Sequence, residues 1–208
     1  MTIRFPSLTA VLLGGCIALS LLSGCATVDR KIQLSYAPIE RPFGQQSGDI
    51  VVSRAEPPAP ARNSRGEWII GSINNVHDVR QADVLSNRSL GEWITDALLL
   101  ELKHAGFSVT YAPSLPANAP RGIVISDINA FLNVKQGTVS DETRHELKFN
   151  ADVFQNGVKA KTFTVASRDG KTLPLSASTE ELERTMLQSL QDAMRQIIPE
   201  IVALTGKK

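Results

Sequence analysis

The sequence predicts an α+β domain in which an antiparallel or mixed sheet carries two amphipathic helices on one face, giving two layers. Two observations support this prediction. The stretches 89–105 and 178–204 have apolar residues at helical spacing, while the stretches before and between them alternate apolar and polar residues as strands do. Consecutive strands are expected to pair as hairpins, so both helices would bury their apolar faces against the same sheet.

The N-terminus is typical of an export signal. Arg4 gives a positive start, a mostly apolar run extends from Leu8 to Leu22, and Ser23–Gly24 supplies the small residues that cleavage needs. The apolar run is shorter than the roughly twenty residues of a membrane-spanning helix. A permanent transmembrane span is therefore the weaker alternative.

Leu22-Ser23-Gly24-Cys25 resembles the bacterial lipobox. The resemblance implies that the Cys25 thiol receives a diacylglycerol, that the signal is cut before it, and that acyl chains such as palmitate then anchor the protein stably in a membrane. Ala26 after the cysteine, rather than Asp, implies the outer membrane, with the domain facing the periplasm. Cys16 follows too short an apolar core and is the poorer candidate. The alternative for Cys25 is an ordinary buried thiol.

Three parts of the chain are predicted: a signal peptide (1–24), a lipidated N-terminal segment with short strands and a proline-rich connector (25–66), and an α+β globular domain (67–208). The full chain has 22 basic and 21 acidic residues, and loss of Arg4 with the signal leaves the mature chain without net charge. A neutral domain has no overall field that attracts nucleic acid, so nucleic acid is not an expected partner. Once Cys25 is acylated, no thiol is left for a disulfide, a metal or a redox couple.

Strand candidates before the first helix are 31–36, 49–53 and 67–74. The proline-rich stretch 55–66 is expected to be an exposed connector. The polar stretch 74–83 is expected to be a solvated loop.

The first helix begins with a capping box formed by Ser89 and Glu92, and it ends at Gly106. Its apolar face consists of Leu90, Trp93, Ile94, Ala97, Leu98, Leu102 and Ala105. Glu101 falls in the middle of this face, where an unpaired charge is very costly. We therefore expect a structural partner for Glu101, such as an arginine, a lysine or a backbone amide. A catalytic or ligand-binding role is the alternative.

A strand is predicted at 107–111 and a long strand at 123–134. The apolar residues of the long strand change phase between Ile125 and Ile128. A β-bulge near Ser126–Asp127 produces such a shift, so Asp127 is expected to be a bulge residue rather than an active-site carboxylate.

Asn156–Gly157 is typical of a two-residue hairpin turn that needs positive φ at both positions. Placing Gln155 opposite Val158 sets Asp152 opposite Lys161. This register places Phe154, Phe163 and Val165 on the outer face of the sheet, which also carries several lysines. A half-apolar exposed face is a candidate docking surface, unless the loop 38–66 covers it.

The last helix is predicted to start at Ser178 or Thr179. Its apolar stripe consists of Leu182, Met186, Leu190, Ala193, Ile197, Ile201 and Leu204. Such a stripe is expected to pack into the core, and a partner-binding face is the alternative. Pro199 is expected to end or kink the helix.

No arranged catalytic group is found in the sequence. His77, His104 and His145 are far apart, and none lies three or four residues from another metal ligand on a helix, so no metal site is predicted. The chain has no glycine-rich phosphate loop, dinucleotide fingerprint or nucleophile elbow. We expect no enzyme and no cofactor. Asp78 and Asp83, in the same polar loop as His77, are expected to be solvated.

The features together resemble the YajG-type family of bacterial lipoproteins. Besides the lipobox, the similar stretches are the early strand 31–36, the helix end 102–109, the stretch 132–139, the hairpin 151–163 and the C-terminal helix. The proline-rich stretch is an addition to the family pattern. The resemblance implies an outer-membrane lipoprotein and supplies no catalytic residues.

Three functions remain open from the sequence. The leading interpretation is a non-enzymatic accessory or structural component of an envelope complex, held at the membrane by its lipid and bound to a protein partner, because confinement raises effective concentration. The alternative is a carrier of a lipid or other apolar ligand, suggested by the broad apolar face of helix 89–105. A cell-wall hydrolase has no arranged nucleophile to support it. Besides lipidation at Cys25, the candidate structural or interaction residues are Glu101, Asp127, Phe154 and Phe163.

Overall fold

The computed structural model describes residues 28–40, 46–55, 62–174 and 177–205. The predicted signal peptide, Cys25 and residues 56–61 of the proline-rich connector lie outside the described residues. Within those ranges the chain forms an eight-stranded mixed sheet and two helices, so the fold is α+β as predicted.

The elements follow one another in the order β1 (Arg30–Ile32), β2 (Asp49–Arg54), β3 (Trp68–Asn74), β4 (Arg80–Ser86), α1 (Leu90–His104), β5 (Ser108–Tyr111), β6 (Arg121–Gln136), β7 (Ser140–Gln155), β8 (Val158–Pro174) and α2 (Thr179–Thr205). The prediction of a loop over 74–83 is wrong in its second half, where β4 begins. Ala82 and Val84 of β4 are buried, and the polar residues Arg80, Gln81 and Asp83 around them hide this alternation in the sequence.

β6 is the centre of the sheet. Its first half pairs in parallel with β2 and its second half in parallel with β3, while β7 pairs with it in antiparallel fashion along its length. β4 joins β3 to β1, β5 lies beside β2, and β8 pairs with β7. Strands β1 and β2, which come from the predicted segment 25–66, thus belong to the same sheet as the strands that follow.

The predicted β-bulge in the long strand is confirmed. Ser126 of β6 faces Asn150 of β7, but Asn129 faces Lys148, so two residues of β6 lie opposite one residue of β7. Asp127 has a φ of 51°, and its carboxylate accepts a 2.7 Å hydrogen bond from the Asn150 side chain.

The hairpin turn is also confirmed, but the register beyond it is wrong. Asn156–Gly157 has φ values of 51° and 77°, as a turn of this type requires. The pairing then slips by one residue at Ala160, so that Asp152 faces Thr162 rather than Lys161. A one-residue slip turns every later side chain of a strand to the opposite face of the sheet.

This slip changes the outer face. Phe163 lies opposite the buried Ala151 and packs against the core, and Val165 is itself buried. Their predicted place on the outer face is wrong, because a bulge residue in β8 had not been counted. Lys161 likewise turns towards α2, where its ammonium lies 3.3 Å from the Glu200 carboxylate.

Both helices begin as predicted and pack into the core. α1 has its capping box at Ser89, and Ser178 caps α2 in the same reciprocal way with Glu181. α1 contacts β2, β5 and β6, α2 contacts β1, β7 and β8, and the helices contact each other. The prediction that Pro199 could end the helix is wrong, because α2 continues to Thr205, whose buried hydroxyl donates to the Ile201 carbonyl.

Candidate functional site

The segment 28–40, which follows Cys25 most closely among the described residues, is bonded to β4, α1 and α2. We call it the junction segment. The Asp29 carboxylate accepts a 2.9 Å hydrogen bond from the Asp83 backbone N–H, and the Arg30 guanidinium donates to the Ala177 carbonyl. Its first residues are therefore fixed to the domain at two separate places.

Beyond Ile32 the junction segment leaves the sheet, so the predicted strand 31–36 is shorter than expected. The Gln33 backbone N–H donates to the Glu183 carboxylate at 2.7 Å, and the Ser35 carbonyl accepts from the Trp93 indole at 2.8 Å. Side chains of the two helices thus take the backbone groups that a strand partner would have satisfied.

Glu101 joins the junction segment to α1. One of its carboxylate oxygens accepts hydrogen bonds from the Tyr36 hydroxyl at 2.6 Å and from the Ile39 backbone N–H at 2.8 Å. Burial, and then the contact with the Glu101 carboxylate, raises the pKa of Tyr36 well above its usual range. The backbone amide is one of the partners expected for Glu101.

The burial of His145, in β7, was not predicted from the sequence. The side chain is fully buried, neither ring nitrogen has a hydrogen-bond partner, and burial lowers the pKa of its imidazole to about 4. It faces Asp169 of β8. One buried oxygen of the Asp169 carboxylate has no hydrogen-bond partner and lies 3.7 Å from the Lys171 ammonium. The sequence pattern that could have revealed the burial of His145 is the alternation of inward-facing and outward-facing residues in β7. It continues from buried Leu147 back to Asp141 and places His145 on the core side.

The outer face of β6, β7 and β8 carries a shallow basin of about 510 Å³ around the half-exposed Phe131. Glu146 in this basin pairs with Arg144 at 3.0 Å and with Arg168 at 2.9 Å. Phe154 lies on the same face nearer the hairpin turn, under the Lys159 ammonium at 5.8 Å from the ring centre. Apolar and charged side chains therefore alternate with one another on this face, and Glu146 is shared by the two arginines.

The structure does not bring the remaining sequence-predicted residues together. Asp78 pairs with Lys135 and Asp83 with Arg80, both at the surface. In the part of the chain that is described, no group of three or more His, Cys, Asp or Glu side chains could hold a metal ion. None of the helices there is both long and apolar enough to cross a membrane.

Solved structures with some likeness to this chain come from several bacteria. A DUF330-family protein from Xanthomonas campestris has 13% identity and a TM-score of 0.43, with 87% of this chain and 95% of that chain covered. A neuraminyllactose-binding hemagglutinin homolog from Helicobacter pylori has 14% identity and a TM-score of 0.43, with 80% of this chain and 92% of that chain covered. A minor lipoprotein from Acinetobacter baumannii has 14% identity and a TM-score of 0.38, with 64% of this chain and 90% of that chain covered. At TM-scores below 0.5, none of these likenesses bears on the function of this chain.

A search of curated proteins finds no match. The model of a family described as uncharacterized lipoprotein matches residues 61–201, which include β3 to β8, α1 and most of α2. This range covers more than half of the chain and contains the similar stretches 102–109, 132–139 and 151–163 and most of the C-terminal helix, whereas the lipobox and the early strand 31–36 lie before it. The chain belongs to the YajG family of uncharacterised lipoproteins.

Proposed function

We propose that this lipoprotein is anchored in the outer membrane by acyl chains on Cys25, faces the periplasm, and acts without catalysis as an accessory component of an envelope complex. The observation that carries the proposal is the bonding of the junction segment. Cys25 precedes Val28 by three residues, which span at most about 11 Å. The folded domain therefore starts directly after the proposed anchor.

Such an arrangement suits a protein that works at the membrane surface. Asp29 is bonded to β4 and Tyr36 to α1, so the domain cannot move away from the anchor without breaking contacts of its own fold. A domain confined in this way meets partners in the same membrane at a raised effective concentration. A modest protein contact is then enough to hold it in a complex.

The packing of α1 favours this role over that of a carrier. Trp93, Ile94 and Leu98, the centre of the apolar face that suggested a ligand site, are fully buried in the protein's own core. We propose accordingly that both helices lie on one face of the sheet as two packed layers, with no space between them for an apolar ligand.

The absence of catalysis is part of the proposal. It is supported by the positions of the two groups with the largest pKa shifts. Tyr36 is partly buried and its hydroxyl is engaged by the Glu101 carboxylate, and His145 is enclosed by the core, so neither presents a free group to a substrate from the solvent.

The first experiment tests the anchor. The Cys25→Ala variant is expected to lose the acyl chains, seen by mass spectrometry of the N-terminal peptide, and to be lost from the outer-membrane fraction. Cys16→Ala is the matched control, because it removes the other cysteine, and it is expected to behave as the unaltered chain. An acylated, correctly located Cys25→Ala protein would contradict the proposal.

The second experiment tests the accessory role. The acylated protein and a form exported with a cleavable signal and no anchor are crosslinked in intact cells with reagents of several lengths. A specific protein partner is expected, and its recovery should fall when the anchor is removed. Recovery of no specific partner by the acylated protein at any length argues against the role.

A further inference from the structure

The first described residues enter the sheet at one particular end of it. β1 runs parallel to β4, with Arg30 opposite Val84, and β4 starts at Arg80, opposite Asn74 at the end of β3. The turn 75–79, which joins β3 to β4, therefore lies at the end of the sheet where the chain arrives from Cys25.

A second turn lies at the same end. β6 is parallel to β3 and brings Lys135 opposite Asn74, so the turn 137–139 between β6 and β7 follows immediately. The Lys135 ammonium and the Asp78 carboxylate, 2.9 Å apart, link the two turns. We call Val28–Asp29 and the turns 75–79 and 137–139 the anchor end.

The anchor end carries exposed valines. The exposed fractions are 81% for Val139, 74% for Val28, 54% for Val79 and 45% for Val76. In the described part of the chain only three other large apolar side chains are comparably exposed, Tyr111, Phe131 and Val158. Apolar side chains gathered at one end of a molecule mark an interaction site more often than scattered ones do.

Both turns hold these valines outwards on a fixed backbone. The Asn75 side-chain oxygen accepts hydrogen bonds from the backbone N–H groups of His77 at 2.9 Å and Val79 at 3.0 Å. In the other turn, a Cβ on Gly137 would collide with the Ser140 carbonyl oxygen, so the chain can turn this tightly only with glycine there.

We propose that the anchor end rests on the phospholipid surface, with its valines in the interfacial region of the leaflet that holds the Cys25 acyl chains. This inference rests on the proposed function, because acylation of Cys25 brings the surface within reach. Three residues from Cys25 to Val28 allow a separation of at most about 11 Å. Apolar side chains that reach 5–10 Å into the boundary between headgroups and acyl chains add to the hold of an anchor.

The charges of the anchor end fit an apolar contact rather than attraction to anionic lipid. Asp78 pairs with Lys135, and Arg80 pairs with Asp83, so the described residues of the anchor end hold no cluster of unpaired positive charge. The contact is therefore expected to persist at high salt, since screening weakens only the electrostatic part.

The opposite end of the long hairpin supplies the control. Val158 follows the turn between β7 and β8 and is 70% exposed. β7 has 16 residues, which at about 3.3 Å per residue separate its two ends by about 50 Å. Val158 thus lies far from the proposed membrane contact, with an exposure similar to that of Val139.

The test uses the acylated full protein, in which an introduced cysteine is the only free thiol. Val139→Cys and Val158→Cys are labelled with an environment-sensitive fluorophore and reconstituted in vesicles of phosphatidylethanolamine and phosphatidylglycerol. The label at position 139 is expected to shift its emission to the blue and to lose quenching by aqueous iodide, at low and at high salt, whereas the label at position 158 stays fully quenched. Equal quenching at both positions overturns the inference.

Failure of the two proposals gives different results. An N-terminal peptide without acyl chains overturns the proposed function and this inference together. An acylated protein that sediments with the vesicles, but whose two labels are equally exposed to iodide, overturns this inference and leaves the proposed anchor intact. A blue shift that disappears at high salt overturns the apolar contact.

Discussion

Tyr36 donates a 2.6 Å hydrogen bond to the same Glu101 oxygen that accepts the Ile39 backbone N–H at 2.8 Å. The carboxylate is buried in the middle of the apolar face of α1. These two donors are the means by which the junction segment satisfies a charge that the helix alone could not accommodate. The fold of the chain that follows the proposed anchor is therefore coupled to the core of the domain.

Tyr36→Phe tests this coupling. The variant leaves the Glu101 carboxylate with one donor fewer, and loss of a partner by a buried polar group costs about 1–3 kcal/mol of unfolding free energy. Urea unfolding followed by circular dichroism measures the change. Tyr111→Phe is the control, because Tyr111 is exposed, and it is expected to change stability by less than about 0.5 kcal/mol. Equal effects of the two variants contradict the coupling.

The need of Glu101 for a partner could be predicted from its place on a helical wheel, but the donors could not. Tyr36 lies 65 residues earlier in the chain, and nothing in the local pattern fixes where the junction segment crosses α1. Local signals such as the Ser89 capping box, the bulge at Asp127 and the Asn156–Gly157 turn were correctly recognised. Each of these depends on residues within a few positions of one another.

The prediction of the register of β8 failed for a related reason. The turn fixes the pairing only until the next irregularity, and the extra residue at Ala160 has no sequence signal as distinct as a glycine. The parallel pairings of β2 and β3 with β6 were also beyond reach, because they join segments that are distant in the chain. A single sequence contains no information on such long-range contacts beyond their apolar alternation.

Val165→Thr tests the corrected register. Threonine has nearly the shape of valine, so the change mainly places a hydroxyl where Val165 is buried opposite Phe149. A buried hydroxyl without a partner costs about 1–3 kcal/mol, and urea unfolding measures it. Val158→Thr on the same strand is exposed and is expected to be neutral within about 0.5 kcal/mol. Had the predicted register been correct, Val165→Thr would be neutral as well.

His145 predicts a dependence of stability on pH. Its pKa is about 4 in the folded protein against an ordinary value of 6.5, so below pH 6.5 the unfolded chain binds a proton that the folded protein does not. The contribution of His145 to the unfolding free energy is therefore constant above pH 6.5 and decreases as the pH falls towards 4. Two and a half pKa units correspond to a loss of about 3 kcal/mol.

The His145→Leu variant isolates this contribution. Its unfolding free energy should change less than that of the unaltered protein between pH 7 and pH 4, and the difference between the two curves removes the shared effect of the carboxylates. His104→Gln is the control, because His104 is exposed at the end of α1, and its curve should follow that of the unaltered protein. Parallel curves for His145→Leu and the unaltered protein would show that the imidazole is protonated inside the fold or not buried.

Ser89→Ala tests the capping box that fixes the start of α1. The Ser89 hydroxyl accepts from the Glu92 backbone N–H at 3.1 Å, and the Glu92 carboxylate accepts from the Ser89 N–H at 3.0 Å, which lowers the pKa of Glu92. Removing the hydroxyl frees a helix amide and is expected to cost about 1 kcal/mol in urea unfolding. Ser108→Ala, at an exposed position of β5, is the control and should change stability by less than about 0.5 kcal/mol.

Because α1 holds both Glu101 and Trp93, which bind the junction segment, the Ser89 variant should also increase proteolysis within residues 28–40. Unchanged cleavage there, despite the loss of stability, would mean that the junction segment is held independently of the start of α1.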